Sequence, residues 1–212
     1  MDPTADGEYA ATRLLGESER CRSSRGAFGE RRLASGTGVL PQIGAVTSSG
    51  PHEPVGVSLR AVERADVPIF FEHQLDAAAN VMAAFTSSDP SDRAAYAAKW
   101  EKNLSDPSIV ARTIEVGGEV AGYVASFERL GKREVCYWLG PKCWGRGIAT
   151  AALSLFLPAL RTRPLYARVA ADNRGSIRVL EKCGFVVCGR ERFFASARGA
   201  EIDELVLELT RG

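Results

Sequence analysis

Two stretches of this sequence combine residue types at spacings that could do chemistry. The first runs Tyr137-Trp138-Leu139-Gly140-Pro141-Lys142-Cys143-Trp144-Gly145-Arg146-Gly147-Ile148-Ala149-Thr150. It reads as the end of a strand, a loop with two glycines, and a helix opening near Ile148. Glycine at 145 and 147 lets backbone N–H groups approach a ligand closely, and the helix N-terminus adds a partial positive charge. Together they make an anion site suited to phosphate. A Gly-x-Gly pair alone equally describes a plain strand-to-helix turn. The loop is neither a P-loop, because no G-x-x-x-x-G-K-[ST] occurs, nor a dinucleotide fingerprint, whose third glycine is absent. The second stretch, from Ala167 to Phe185, reads as a strand with Asn173 at its end. Ser176 then caps a helix, and Gly184-Phe185 stops that helix and begins another strand.

The elements that must position these residues follow from periodicity and punctuation. Val57 to Val62 alternates as a first strand. Ala65 to Phe85 reads as one helical region, and Ser91 or Asp92 can cap a second helix reaching about Asn103. Ile109 to Val116 and Glu119 to Phe127 are strand patterns joined at Gly117-Gly118, a tight-hairpin signal. Glu134 to Leu139 is a strand, and the helix from Ile148 extends to about Leu160. Leu165 to Ala170 is a strand and Ser176 to Cys183 a helix. Phe185 to Arg192 and Glu201 to Leu209 close the order as two strands. Such an order fits an α/β sandwich with a mixed sheet.

Composition narrows the setting. The chain has 212 residues, 45% of them hydrophobic, with a formal net charge of +1, so one well-buried core is expected, with a tail besides. Basic residues are scattered, which gives no electrostatic case for nucleic acid. The longest apolar run, Ile148 to Leu160, carries Thr150 and Ser154 and falls short of the roughly 20 residues of a membrane span. The five cysteines, Cys21, Cys136, Cys143, Cys183 and Cys188, lack close C-x-x-C pairing. They read as reduced thiols of a cytoplasmic protein, with no metal site. The stretch from Arg20 to Gly56 is rich in Gly, Ser and Arg and shows no sustained period, so residues 1–55 read as a disordered tail or an over-extended start, with the domain spanning 56–212.

The two motifs at this spacing resemble those of the GNAT superfamily of N-acetyltransferases. Lys142-Cys143-Trp144-Gly145-Arg146-Gly147 looks like its Q/R-x-x-G-x-G/A pyrophosphate loop, and Asn173 to Phe185 looks like its N-x-x-S/A helix ending in Gly-Phe. The spelling is closest to the ribosomal-protein alanine N-acetyltransferase branch, and the resemblance covers roughly Val57 to Leu209. It implies a mixed, mostly antiparallel sheet flanked by about four helices, with an irregular N-terminal tail. It also implies acetyl-CoA as co-substrate and a primary amine as acceptor, either a protein N-terminus or a small molecule. A homodimer is among the assemblies common in proteins that look like this.

The resemblance carries residue by residue. The strand ending at Tyr137, Trp138 and Leu139 would splay from its neighbour and pair with pantetheine. Amides from Cys143 to Ile148, with Lys142 before them and Ala149 after, would hold the pyrophosphate. Asn173 would bond the pantetheine arm, with Ser176 beside it. Two positions depart from the pattern: Leu180 stands where many members have an acid tyrosine, and Arg168 where some have a carboxylate base. Glu134 is therefore the candidate base and Ser176 the candidate acid. The departures also admit an acyl-CoA-binding sensor that has lost catalysis. His73 and Asp76 are candidates for the acceptor pocket, with core or solvent positions as the plainer alternative. Trp144 would shield the loop or pack under the sheet. Glu201, Asp203 and Glu204 read as a solvated strand edge able to attract a cationic amine.

Overall fold

The computed structural model describes residues 56–211, so the expected tail at 1–55 lies outside the described residues. Seven strands form one sheet in the order β1-β2-β3-β4-β5-β7-β6. They are β1 Val57–Ala61, β2 Val110–Val116, β3 Glu119–Arg129, β4 Lys132–Leu139, β5 Leu165–Ala170, β6 Val186–Ala195 and β7 Ala200–Leu209. Only β4 and β5 run parallel; every other neighbouring pair is antiparallel. The expected mixed, mostly antiparallel α/β sandwich is what the chain builds.

Five α-helices flank the sheet: α1 Val67–Gln74, α2 Ala77–Ala83, α3 Arg93–Ser105, α4 Ile148–Phe156 and α5 Arg174–Lys182. The single helical region expected over Ala65 to Phe85 is in fact two helices. The chain breaks after Leu75, and Asp76 restarts it by accepting the Ala79 N–H at 2.7 Å. Asp92, rather than Ser91, caps α3 by accepting the Ala95 N–H at 2.9 Å. α4 ends short of Leu160 because Pro158 cannot continue the helical ladder, and the chain finishes as a 3-10 turn over Leu157–Ala159.

Side-chain alternation divides the sheet into two faces. Val124, Val135, Tyr137, Leu139, Ala167 and Leu207 point toward α4 and α5, where Leu153, Phe156 and Leu180 complete the larger core. Tyr123, Ala125, Phe127, Cys136 and Trp138 point the other way, against Phe70, Phe71 and Trp100 of α1 and α3. A third, smaller cluster joins Ala84 and Phe85 after α2 to Ala170 and Ala195.

What positions the site is a parting of two strands. β4 and β5 pair only at Arg133 with Leu165 and Glu134 with Tyr166. Beyond that point β4 stays with β3 as far as Leu139, and β5 stays with β7 as far as Ala170. The two therefore diverge and leave backbone groups of β4 facing an opening. A bulge at Ala121 bends β3 beside the end of β4. The Ala121 carbonyl accepts the Gly140 N–H at 2.9 Å, fixing the exit into the loop.

Candidate active site

The opening between β4 and β5 widens into a groove of about 350 Å³. Tyr137, Trp138 and Leu139 line it from β4, Asn173 from the N-cap of α5, and Cys143 to Gly145 with Gly147 to Ala149 from the loop and the start of α4. Because Tyr137 and Trp138 belong to opposite faces of the sheet, the groove passes through the gap between the strands.

The loop is built for an anion. Gly147 has φ +76° and is the N-cap of α4, a conformation glycine adopts without the steric cost an L side chain would incur. Gly145 has φ +70°, and at both glycines a Cβ would meet nothing within 4 Å, so the backbone opens directly onto space. The first helical bond runs from the Ala151 N–H to the Gly147 carbonyl at 3.0 Å. Amides before Ala151 thus have no partner within the helix and, with the helix dipole, face a ligand. Arg178 and Lys182 reach the groove from α5, and no carboxylate lines it. This donor set suits a pyrophosphate. Lys142 and Arg146 are exposed and stand outside the lining. Trp144 lines the groove and donates its indole N–H to the Leu139 carbonyl at 3.0 Å, so it closes the loop onto β4 rather than packing under the sheet.

Asn173, not Ser176, caps α5: its Oδ1 accepts the Ser176 N–H at 3.1 Å. The helix therefore starts at Arg174, two residues earlier than expected, and places Ser176 in its first turn, lining the groove. The Asn173 amide also donates to the Met82 carbonyl at 3.3 Å. Tyr137 directs its hydroxyl at the Ser176 carbonyl, 3.5 Å away, and burial pushes its phenol up to about 12.

The other candidates stand apart from the groove lining. Glu134 is buried at the last paired position of β4, where Arg168 Nε donates to it at 3.0 Å and Arg129 Nη1 at 3.4 Å. His73 is half-buried at the end of α1 against Gly140, and Asp76 serves as the α2 cap. Glu204 corrects an expectation: it is 1% exposed and paired with Arg168 at 3.2 Å, so it is not part of a solvated edge. Leu180 is buried in the larger core.

Several lining residues escaped sequence reasoning. Arg178 and Lys182 were detectable, since Arg174, Arg178 and Lys182 recur every four residues along one face of the helix. Ala79, Met82 and Ala83 of α2 carried no such signal, because only the packing of α2 beside Asn173 makes them a wall. Among the described residues no helix is long and apolar enough to cross a membrane. Likewise, among the described residues, no group of three or more His, Cys, Asp or Glu is placed to hold a metal ion.

Comparison with known proteins agrees with this geometry. The model of the acetyltransferase (GNAT) domain matches residues 57–186. An uncharacterized N-acetyltransferase, p20, from Bacillus licheniformis is 30% identical over 107 residues, 49% of this chain; the match spans 60% of that relative's length. Among solved structures, Mycobacterium smegmatis RimJ in complex with CoA-disulfide superposes with a TM-score of 0.61 at 26% identity, over 74% of this chain and 83% of that one. A ribosomal-protein-alanine N-acetyltransferase from Brucella melitensis gives a TM-score of 0.63 at 23% identity, over 73% and 99%. Spermidine N-acetyltransferase from Vibrio cholerae, in complex with CoA and spermine, gives 0.64 at 21%, over 73% and 95%. The last two likenesses speak to the fold alone. The family match extends from β1 to the start of β6 and takes in both the parted strands and the glycine loop, so the chain belongs to the GNAT acetyltransferase family.

Proposed function

We propose that the protein is an acetyl-CoA-dependent N-acetyltransferase acting on a primary amine. The observation that carries this reading is the groove through the parted β4 and β5, which ends at the anion-binding loop before α4. The amides from Gly145 to Ile148 hold the pyrophosphate, with Arg178 and Lys182 at its flank; the expected Cys143 and Trp144 amides are instead bonded to the Gly140 and Pro141 carbonyls, at 2.8 and 3.2 Å. Backbone groups of β4 from Tyr137 to Leu139 pair with the pantetheine arm, and Asn173 bonds it from the β5 side. From Gly140 back to Glu134 is about 20 Å of strand at 3.3 Å per residue, which leads the arm to the point where the strands meet. When bound, acetyl-CoA supplies the thioester: the amine nitrogen bonds the acyl carbon, the C–S bond breaks, and the thiolate leaves to be protonated.

Glu134 stands where that arm ends, on the face carrying α1 and α3. Its carboxylate takes the proton the ammonium must lose, relayed by solvent. The Ser176 hydroxyl, at the groove wall, protonates the leaving sulfur. Acceptors in view are a protein N-terminus or a small amine; the name of the Brucella neighbour prints a ribosomal-protein alanine and that of the Vibrio neighbour spermidine. The reading needs no metal, membrane or nucleic acid; a homodimer and a cytoplasmic location complete it.

A second reading, an acyl-CoA-binding sensor without turnover, draws on the burial of Leu180 where many members have an acid tyrosine. Calorimetric titration with acetyl-CoA and CoA, on the wild type and on Gly147→Trp, tests the shared cofactor site. Micromolar binding lost in a folded variant supports it, and no binding by the folded wild type overturns it. Turnover across an amine panel then separates enzyme from sensor.

A further inference from the structure

The groove has a direction, and α5 gives it. At the C-terminal end of that helix Cys183 Sγ lies 3.7 Å from the Thr150 carbonyl and 3.6 Å from Ser154 Oγ, beside the first turns of α4. At the N-terminal end the Asn173 amide donates to the Met82 carbonyl of α2 at 3.3 Å. Between Asn173 and Lys182 the helix rises about 13 Å, at 1.5 Å per residue. Lys182 therefore stands by the start of α4, whereas Ala79, Met82 and Ala83 line the opposite end. A cofactor with its pyrophosphate on the glycine loop runs along this path, and its acyl chain, the part farthest from the phosphates, projects toward α2.

This end wall is apolar and fixed. Ala79 and Ala83 sit one turn apart and carry a methyl each, so among the described residues of α2 that line the groove only Met82 has a long side chain. Arg198 donates from Nε to the Val81 carbonyl at 2.7 Å and from Nη2 to the Met82 carbonyl at 3.4 Å. The helix then ends in a γ-turn: Ala84 has φ 69° and ψ −51°, and the Phe85 N–H donates to the Ala83 carbonyl at 2.8 Å. That hand of turn is strained for an L residue and persists only where its surroundings hold it. Ala84 is fully buried, and its carbonyl accepts the Ala197 N–H at 3.3 Å. A backbone tied in this way does not retreat from a longer acyl chain, so side-chain size on α2 sets the room.

We infer that Met82 is the gauge of the acyl donor, admitting acetyl and excluding longer chains. The inference rests on the proposed transferase reading and narrows its co-substrate. Alanine at position 82 removes Cγ, Sδ and Cε, which makes room for the two methylenes by which butanoyl exceeds acetyl. Leucine at position 83 has the opposite effect and fills the space that acetyl itself occupies.

The test is calorimetric titration of free CoA, acetyl-CoA and butanoyl-CoA into wild type, Met82→Ala and Ala83→Leu, which requires no knowledge of the acceptor. Wild type should bind acetyl-CoA more tightly than butanoyl-CoA. Met82→Ala should shift that ratio toward butanoyl-CoA by about tenfold, the discrimination a methylene or two supplies in an apolar pocket. A ratio equal in wild type and Met82→Ala, or a wild type that binds butanoyl-CoA as tightly as acetyl-CoA, overturns the inference. If Met82→Ala does not fold, Ala83→Leu leaves Met82 in place and should weaken acetyl-CoA at least fivefold while free CoA stays within about twofold; equal effects on both ligands again overturn it. Free CoA reads the cofactor site separately. Its failure to bind the folded wild type sinks the proposed function and the gauge with it, whereas normal CoA binding with an unchanged acyl ratio sinks the gauge alone.

Discussion

His73 lies against the α-carbon of Gly140 so closely that a Cβ built there would meet the imidazole Cδ2 and Nε2 at 2.8 Å. The contact joins the end of α1 to the residue that leaves β4 for the glycine loop. The Trp138 indole N–H, donating to the His73 carbonyl at 3.3 Å, reinforces it. Gly140→Ala should force the imidazole or the loop to move, at the 1–3 kcal/mol typical of overpacking. Thermal unfolding should record the loss and calorimetry a weaker affinity for acetyl-CoA. Unchanged values in both would mean that the ring swings away freely.

The same imidazole makes stability depend on pH. Burial lowers the His73 pKa below 6.5, and its Nδ1 is buried with no hydrogen-bond partner. In the window below 6.5 and above the depressed folded value, the unfolded chain binds a proton that the folded chain does not. The stabilising contribution is therefore complete above pH 6.5 and declines as pH falls below it. A melting-temperature profile from pH 8 to 5 should fall in that window, and His73→Gln should flatten that part of it.

Gly122 faces the Trp138 carbonyl so tightly that a Cβ would lie 2.0 Å from the oxygen, a backbone atom that cannot rotate away. Gly122→Ala must break the pairing of Gly122 with Leu139 and pull β3 off the strand that carries the groove. We expect a loss of about 3 kcal/mol or more, at the upper end for overpacking. Chemical denaturation measures it, and a variant within 1 kcal/mol of wild type would refute the tight approach.

Asp76 caps α2 and Asp92 caps α3, each through one side-chain oxygen on an N–H three residues on. Replacing either by alanine should cost about 1 kcal/mol, a drop of roughly 2–4 °C in melting temperature for a domain of this size. Asp76→Ala also tests the acceptor-pocket expectation. A change in the amine KM beyond what the stability loss explains would give this carboxylate a substrate role in addition to its cap.

Arg198, in the turn between β6 and β7, holds α2 in place. Its Nε donates to the Val81 carbonyl at 2.7 Å, and its guanidinium pairs with Asp172 at 2.5 Å, next to Asn173. Arg198→Ala should loosen the wall formed by Ala79, Met82 and Ala83. Hydrogen exchange across residues 77–85 should accelerate at least tenfold while α3 stays unchanged. Equal exchange in both proteins would mean that α2 is held by apolar packing alone.

The features legible in the sequence were those settled within a few residues of chain. Gly117 and Gly118 take positive φ of +61° and +83° and turn β2 into β3 where the Gly-Gly signal stood. β5 occupies Leu165–Ala170 as its alternation indicated. The loop from Lys142 to Gly147 opens onto α4 because glycine conformation and the unpaired first turn of a helix are local properties. Where two local rules competed, the sequence did not discriminate: Asn173 and Ser176 both favour a helix cap, and the Asn173 tie to Met82, 91 positions away, belongs to the packed chain.

Charge partners lay wholly beyond such rules. Glu204 looks like an edge residue among Glu201 and Asp203, yet it is buried because Arg168 stands diagonally across from it on the next strand. Glu134 is neutralised by that same arginine, 34 positions later, across a gap that exists only because β4 and β5 diverge. By itself the sequence determined the strands, the anion loop and the helix that follows it, since backbone preference and alternation act at short range. The tertiary structure alone decided which strands part, which helix walls the groove and which cation meets which carboxylate, because burial and Coulomb attraction depend on distance in space rather than along the chain.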